Sequence, residues 1–305
     1  MKLRDFDINL LVTLEAIWST RSVSNAARTL NLAQPTISAA LSRLRQTLGD
    51  ELFVWSGTEM VPTPLTERLM PDVKQLLNGV HSIIGKSSGG IEAVERRFVI
   101  ATADYVYALI GSELIERSAR EAPHLSFDFV EMRPDIVNRS YRTEVDLFVY
   151  PVNALRAVGM ERQALYRDKY VCIAAQGNDA LRSDMSPREF IGLRHIGYSA
   201  LPRTALSHEM SRWDNLVETA NLSLTMRNYL ALPHIVARSD AVAIVPRRIV
   251  TSLVSGLALK WIEPPLPVPA LEMAALWRPI QGDDVALDWL CKTLVEICAP
   301  YRKRE

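Results

Sequence analysis

Apolar residues in the first fifty positions recur at three- and four-residue intervals. Phe6, Leu10, Leu11, Leu14, Ile17 and Trp18 form one stripe, which predicts a helix over 5–20. A second helix is predicted over 23–30, with Ser22 or Ser24 as N-cap and Ala26, Ala27 and Leu30 turned inward; Asn31 interrupts it. A third begins at Gln34-Pro35, where a first-turn proline forfeits no hydrogen bond, and runs through Ile37, Leu41 and Leu44 to Gly49. Three short helices with a tight turn between the second and third make a helix-turn-helix pattern.

The period then changes. "DELFVWSGTEMVPTP" alternates around a Ser56-Gly57 turn, which predicts a hairpin, or wing, ending at Pro62 and Pro64. Leu65, Leu69, Val73, Leu76, Val80 and Ile83 follow at four, four, three, four and three residues, close to the alternation of a coiled-coil seam. This narrow stripe predicts a dimerising helix, the alternative being a helix packed on its own domain. "GKSSGG" ends it with the composition of a flexible linker. From Arg96 onward, apolar runs such as "RRFVIAT", "LSFDFVEM", "VDLFVYPV", "DKYVCIAA", "RHIGYSA", "LSLTMRNY", "AVAIVP" and "ALEMAALW" are separated by helical stretches, including 105–121 and a terminal helix near 284–298. That alternation predicts parallel sheets with helices on their faces, arranged as two α/β lobes between which the chain crosses and returns.

The chain's 305 residues exceed a single core, and its formal net charge is zero. No apolar run approaches the ~20 residues of a membrane span, so a cytoplasmic location is expected. Cys172, Cys291 and Cys298 lack CxxC spacing, and the scattered histidines His81, His124, His195, His208 and His234 offer no metal site; no cofactor is expected. The GxSxG elbow, the Gly-rich phosphate loop, GxGxxG after a strand and HExxH are all missing, which argues against an enzyme.

Local charge is more informative than the total. Between Arg21 and Gly49 there are four arginines and no acidic residue. A helix-turn-helix places the start of its second helix in the major groove, so Gln34, Pro35, Thr36, Ser38 and Ser42 are candidates to face base edges. Arg28, Arg43 and Arg45 are candidates to hold phosphates.

"AARTLNLAQPTISAALSRLR", with "DELF" and "PTP" in order behind it, resembles the N-terminal domain of LysR-type transcriptional regulators. "DINLLVTLEAI", "DELF" and "VPTPLTERL" are most similar to the branch of nodulation regulators and activators of naphthalene, salicylate and lindane breakdown. The resemblance implies an α/β protein with a winged helix-turn-helix (1–63), a dimerising linker helix and hinge (64–90), and a two-lobed, periplasmic-binding-protein-like effector domain (91–305). Lobe 1 would comprise about 91–165 and 270–305, lobe 2 about 166–269. It further implies promoter DNA, a small effector, homodimers and homotetramers and RNA polymerase as partners, and activation as the role. A constitutive DNA binder without effector is the alternative. Trp55 departs from the arginine many members carry in the wing, leaving Arg68 and Thr66 to take part of the phosphate role.

Ligands of open α/β sheets sit beyond the carboxyl ends of strands, near helix N-termini. That selects Thr102, Asp104, Tyr105, Tyr150, Asp168, Tyr198, Arg203, Tyr229 and Arg248 as effector-binding candidates. Salicylate-type relatives tend to carry histidine at the place of Asp168. A carboxylate there would repel an acid, so a neutral or phenolic effector is expected and benzoate-like acids should bind poorly. The alternative for Asp168 is a surface pair with Arg167 or Lys169.

Overall fold

The computed structural model describes residues 6–88, 90–132, 145–152, 159–198, 221–279 and 284–302, with the side chains of 75, 78 and 81–88 outside that description. The chain divides near Gly90 into two compact units.

In the first unit α1 (Asn9–Thr20), α2 (Val23–Thr29) and α3 (Gln34–Leu48) enclose a core of Leu10, Leu14, Ile17, Trp18, Ala26, Ala27, Ile37, Leu41 and Leu44. Ser22 is the N-cap of α2, its hydroxyl accepting from the Asn25 N–H at 3.3 Å. Asn31 sits at φ 52°, the left-handed conformation that lets the chain reverse between α2 and α3. Gly49 ends α3 at φ 66°, its N–H returning to the Arg45 carbonyl at 2.9 Å. The wing is an antiparallel pair, β1 (Phe53–Trp55) and β2 (Met60–Pro62), with Trp55 opposite Met60. Val54 and Trp55 both stand exposed.

The linker helix α4 (Pro64–Ser88) carries two apolar faces rather than one seam. Met70 and Val73 are buried in the helix-turn-helix core with Leu77 packed on them, whereas Leu76 and Val80 are 43% and 39% exposed. One face of the helix is thus packed on its own domain, and Leu76 and Val80 are left uncovered by this chain. α4 runs through "GKSS" and ends at Ser88, within the "GKSSGG" stretch expected to close it. Thr66, expected to help hold a phosphate, is fully buried and donates to the Leu52 carbonyl at 2.7 Å, so its hydroxyl fastens α4 to the wing. Arg68 is exposed.

The second unit holds two five-stranded sheets. The first has the order β4-β3-β5-β12-β6: β3 (Arg96–Thr102), β4 (Leu125–Glu131), β5 (Leu147–Pro151), β6 (Glu161–Asp168) and β12 (Leu271–Trp277). The second runs β11-β7-β10-β8-β9: β7 (Tyr170–Ala175), β8 (Arg194–Tyr198), β9 (Asn221–Met226), β10 (Val242–Pro246) and β11 (Leu259–Ile262). The chain passes to the second sheet between β6 and β7 and returns between β11 and β12. Helices α5 (Asp104–Glu121), α6 (Pro187–Gly192), α7 (Ala231–Val236), α8 (Val285–Ile297) and α9 (Ala299–Arg302) complete the unit.

The sheets are mixed, which corrects the all-parallel expectation. β3 pairs in parallel with β4 and β5, but β12 is antiparallel to β5 and β6, and β7 is antiparallel to β10 and β11. The strands that cross or return between sheets are the ones that reverse direction. Cys172 and Cys298 are buried and Cys291 partly so; burial pushes the Cys298 thiol up to about 12 and that of Cys172 higher, so neither is a ready nucleophile.

Candidate functional site

The first unit presents one polar face. On α3 the inward residues Ile37, Leu41 and Leu44 are buried, which turns Gln34, Pro35, Thr36, Ser38, Ser42 and Arg43 outward into solvent. The Gln34 Oε1 accepts from Ser24 Oγ at 3.2 Å, which ties the start of α3 to α2. Arg28 is exposed and donates to Asn25 Oδ1. Arg43 is 62% exposed with only a 3.5 Å approach to Asp7, an ion pair of small worth in water. It can move to a phosphate at little cost.

Arg45 has a different task from the one its sequence position suggests. Its Nε donates to the Glu51 carbonyl at 2.7 Å and its Nη2 to the Phe53 carbonyl at 2.9 Å, with the Glu51 carboxylate 3.3 Å from Nε. Two of its three nitrogens are engaged by the wing, so Arg45 braces the wing against α3. The signal that could have shown this is the spacing of Arg45 to "DELF", short enough for a helix-end cation to reach the next strand.

In the second unit the candidates divide into two groups. Asp104, Tyr105, Tyr150, Tyr198 and Tyr229 come together between the lobes. Asp104 opens α5 behind the first sheet; its carboxylate accepts from the backbone N–H groups of Tyr229 at 2.9 Å and Leu230 at 2.8 Å, at the approach to α7 behind the second sheet. Asp104 is 2% exposed, so these charge-assisted bonds form a clasp across the lobes. The Tyr229 ring stacks on Tyr198 at 3.6 Å and meets the edge of Tyr105 at 5.5 Å. Tyr150 and Tyr198, both half-buried, pack with Ile244 from the second sheet against an apolar patch around Phe148 and Leu276 of the first. Burial, reinforced by Tyr150 and the Asp104 carboxylate, holds the Tyr198 hydroxyl well above the usual phenol range; burial does the same for Tyr229 and Tyr105. All three remain neutral hydrogen-bonding groups at physiological pH.

Thr102 does not share this role. It is fully buried and its hydroxyl donates to the Val149 carbonyl of β5 at 2.7 Å, a bond within the sheet. Arg203 lies outside the described residues.

Asp168 and Arg248 form the other group. Asp168 is 7% exposed and accepts from the Lys169 N–H at 2.8 Å and the Arg248 N–H at 3.4 Å. The Arg248 Nε lies 4.0 Å from its Oδ2. Burial raises its pKa, opposed by the Lys169 amide and the Arg248 charge. It is thus not in a surface pair. Together with Arg248 it lines a cavity, and it acts electrostatically on Tyr105 of the tyrosine cluster. Arg248 lies over the rings of Tyr166 and Tyr301, at 5.1 and 4.8 Å, two aromatic partners absent from the sequence-derived set.

Comparison with known proteins accounts for both units. Residues 8–67 match the profile of the bacterial regulatory helix-turn-helix protein, lysR family, and residues 92–299 that of the LysR substrate binding domain. Nodulation protein D 1 of Mesorhizobium japonicum is 30% identical over 97% of this chain and 94% of its own, and Nodulation protein D 2 of Rhizobium tropici 28% identical over 97% and 94%. Among solved structures, a full-length OxyR variant from Pseudomonas aeruginosa superposes with a TM-score of 0.73 at 15% identity, covering 98% of this chain and 99% of that one. CbnR, a LysR family transcriptional regulator, does so with 0.56 at 13% identity, covering 98% and 100%. No helix among the described residues is long and apolar enough to cross a membrane. With its helix-turn-helix head and two mixed α/β lobes both matched, this chain belongs to the LysR family of DNA-binding transcriptional regulators that carry an effector-binding domain.

Proposed function

We propose that this regulator is a ligand-controlled activator whose effector is a small, neutral aromatic or phenolic molecule bound between the lobes. The observation that carries this reading is the tyrosine cluster: Tyr150, Tyr198 and Tyr229 offer flat apolar faces, Tyr198 and Tyr229 with neutral hydroxyls, and the carboxylates of Asp104 and Glu131 act on Tyr198. Acids beside the rings disfavour an anionic ligand and favour a donor such as a phenol O–H.

The head, 1–63, reads promoter DNA with Gln34, Thr36, Ser38 and Ser42 at base edges, Pro35 fixing the helix start, and Arg28 and Arg43 on phosphates. A solved complex of full-length CbnR with its target DNA, TM-score 0.56 to this chain, supports a DNA-bound state of this architecture. The segment 64–90 pairs two heads through the exposed Leu76 and Val80. The effector domain, 91–305, with lobes of about 91–165 plus 270–305 and 166–269, joins dimers into tetramers. Ligand closing on the lobes changes how four heads hold and bend the promoter for RNA polymerase in the cytoplasm.

Footprinting upstream DNA with and without neutral phenols tests the whole scheme, since operator, stoichiometry and ligand response are read together. A footprint that no phenol alters, with no rise in melting temperature on phenol addition, would leave the constitutive DNA binder as the reading. Gln34→Ala should relax sequence choice. Arg43→Ala should weaken binding to all sequences and flatten the salt slope by about one unit.

A further inference from the structure

We infer that the wing adds an apolar contact to the DNA interface: the indole of Trp55 packs on deoxyribose edges of the duplex beside the groove that α3 enters. The inference rests on the reading of α3 as the DNA-reading helix and extends it to a surface of different chemistry. Trp55 closes β1 and is 63% exposed, while Trp18 in the same unit is 2% exposed. The cross-strand partners Val54 and Val61 are exposed as well. Phe53, two residues before Trp55 and so on the same side of the strand, is buried in the core. The indole therefore lies past the end of that core, and its apolar surface is left to water.

The wing has no cation with which to hold a phosphate. From Gln46 to Glu67 there is neither lysine nor arginine, whereas Asp50, Glu51, Glu59 and Glu67 are acidic. Asp50 is engaged by the Thr63 hydroxyl at 2.6 Å and the Leu52 N–H at 2.7 Å, and Glu51 faces Arg45 at 3.3 Å, but Glu59 is exposed. Any contact the wing makes with DNA must then use surface that needs no positive charge. The sugars of a duplex offer C–H edges that an aromatic face can cover without a counter-charge.

The ring is carried at a fixed place beside the reading helix. Arg45 of α3 donates to the carbonyls of Glu51 and Phe53, and beyond Trp55 the turn is closed by the Ser56 N–H and hydroxyl, both donating to the Glu59 carbonyl, at 2.9 and 3.1 Å. Trp55 follows two residues, about 7 Å of strand, after a carbonyl bonded to α3, less than the ~12 Å width of a major groove. A duplex seated on α3 thus has a backbone strand within reach of the indole. A protein partner fits less well: Trp55, Val54 and Val61 together expose roughly 300 Å², against ~800 Å² on each side of a stable protein interface.

The test is the affinity of the full-length protein for the upstream duplex it protects in the footprint, measured by fluorescence anisotropy from about 50 to 200 mM salt. Trp55→Ala is expected to bind about tenfold more weakly at every salt concentration, with the slope of log affinity against log salt unchanged, because no phosphate contact is lost. Trp55→Phe, which keeps a flat apolar face, should stay within about threefold of the parent, and Trp55→Arg should steepen the slope by about one. The melting temperature and sedimentation of Trp55→Ala should match the parent's. Binding of Trp55→Ala equal to the parent's, a flattened salt slope, or a smaller assembly in sedimentation, which would give the ring to a second copy of the chain, would each overturn the proposal. Arg43→Ala and Gln34→Ala decide the α3 reading separately: both binding as the parent does would overturn that reading, and weakened binding in them with Trp55→Ala unaffected would overturn the wing contact alone.

Discussion

The clasp at Asp104 allows a quantitative expectation. Its carboxylate is buried and accepts two backbone N–H bonds, at 2.9 and 2.8 Å, from the lobe opposite its own. Hydrogen bonds to a charged group are worth about 1.5–3 kcal/mol each, and replacement by alanine also strands the Tyr229 and Leu230 amides. Against this, the alanine variant no longer buries a charge, which returns part of the loss. A net destabilisation of about 2–4 kcal/mol follows for Asp104→Ala. For a unit of this size each kcal/mol shifts the midpoint by about 2–4 °C, so a fall of about 4–16 °C is expected in the calorimetric transition of the effector unit. Asp104→Asn keeps one acceptor oxygen and should lose about half as much. Because Tyr229 stacks on Tyr198 at 3.6 Å, the near-ultraviolet circular dichroism of the ring pair should weaken in the same order. A midpoint for Asp104→Ala within 1 °C or so of the parent would refute the reasoning, since no buried double acceptor can be removed that cheaply.

Other outcomes follow from single contacts. Arg45→Met should lower the stability of the head by about 1–3 kcal/mol, discounted for partial exposure, and weaken DNA binding through the loosened wing; a melt and a mobility-shift titration check both, and an unmoved wing proton-exchange rate would contradict it. Replacing both Leu76 and Val80, 43% and 39% exposed, by aspartate should yield monomeric heads without loss of helix content, as sedimentation would reveal; a dimer that persists would place the interface elsewhere. His195 is buried with its ring nitrogen 2.7 Å from the Phe190 carbonyl, and burial lowers its pKa from the ordinary 6.5. The unfolded chain then binds the proton more readily, so stability is full above about pH 6.5 and declines as the pH falls below it. His195→Gln should flatten that decline in urea titrations between pH 7 and 5, and an equally steep decline would assign the loss to other groups.

The parts legible from sequence were those in which one local period decides the outcome. The stripes of Leu10, Leu14 and Ile17, and of Ile37, Leu41 and Leu44, could be buried only as helices, and the turn at Asn31 followed from the interruption between them. β6 gave no such signal: in "ERQALYRD" four of the first residues are exposed, and only Leu165, Tyr166 and Asp168 are buried. Strand direction is also silent in a local pattern, because a parallel and an antiparallel neighbour bury the same alternate side chains; hence the mixed sheets. For the site, exposure on α3 was readable from helical phase, but the partners of Arg45, Asp104 and Asp168 are set by backbone amides and carbonyls brought near by the turns. Every residue has those groups, so no residue pattern marks them.

The brace between Arg45 and the wing has a consequence for how a signal can reach DNA. One guanidinium on α3 holds carbonyls on both sides of the turn into β1, and Thr66 at the start of α4 fastens to the same segment through Leu52. Reading helix, wing and the root of the linker are thereby locked as a single rigid key. A key of fixed shape cannot be retuned to new base sequences by a distant ligand. Under the proposed effector control it can only be turned, so that control would lie in the spacing and angle between copies of the head, and effector mutants should change the length and bend of the operator occupied while leaving the half-site sequence as it was.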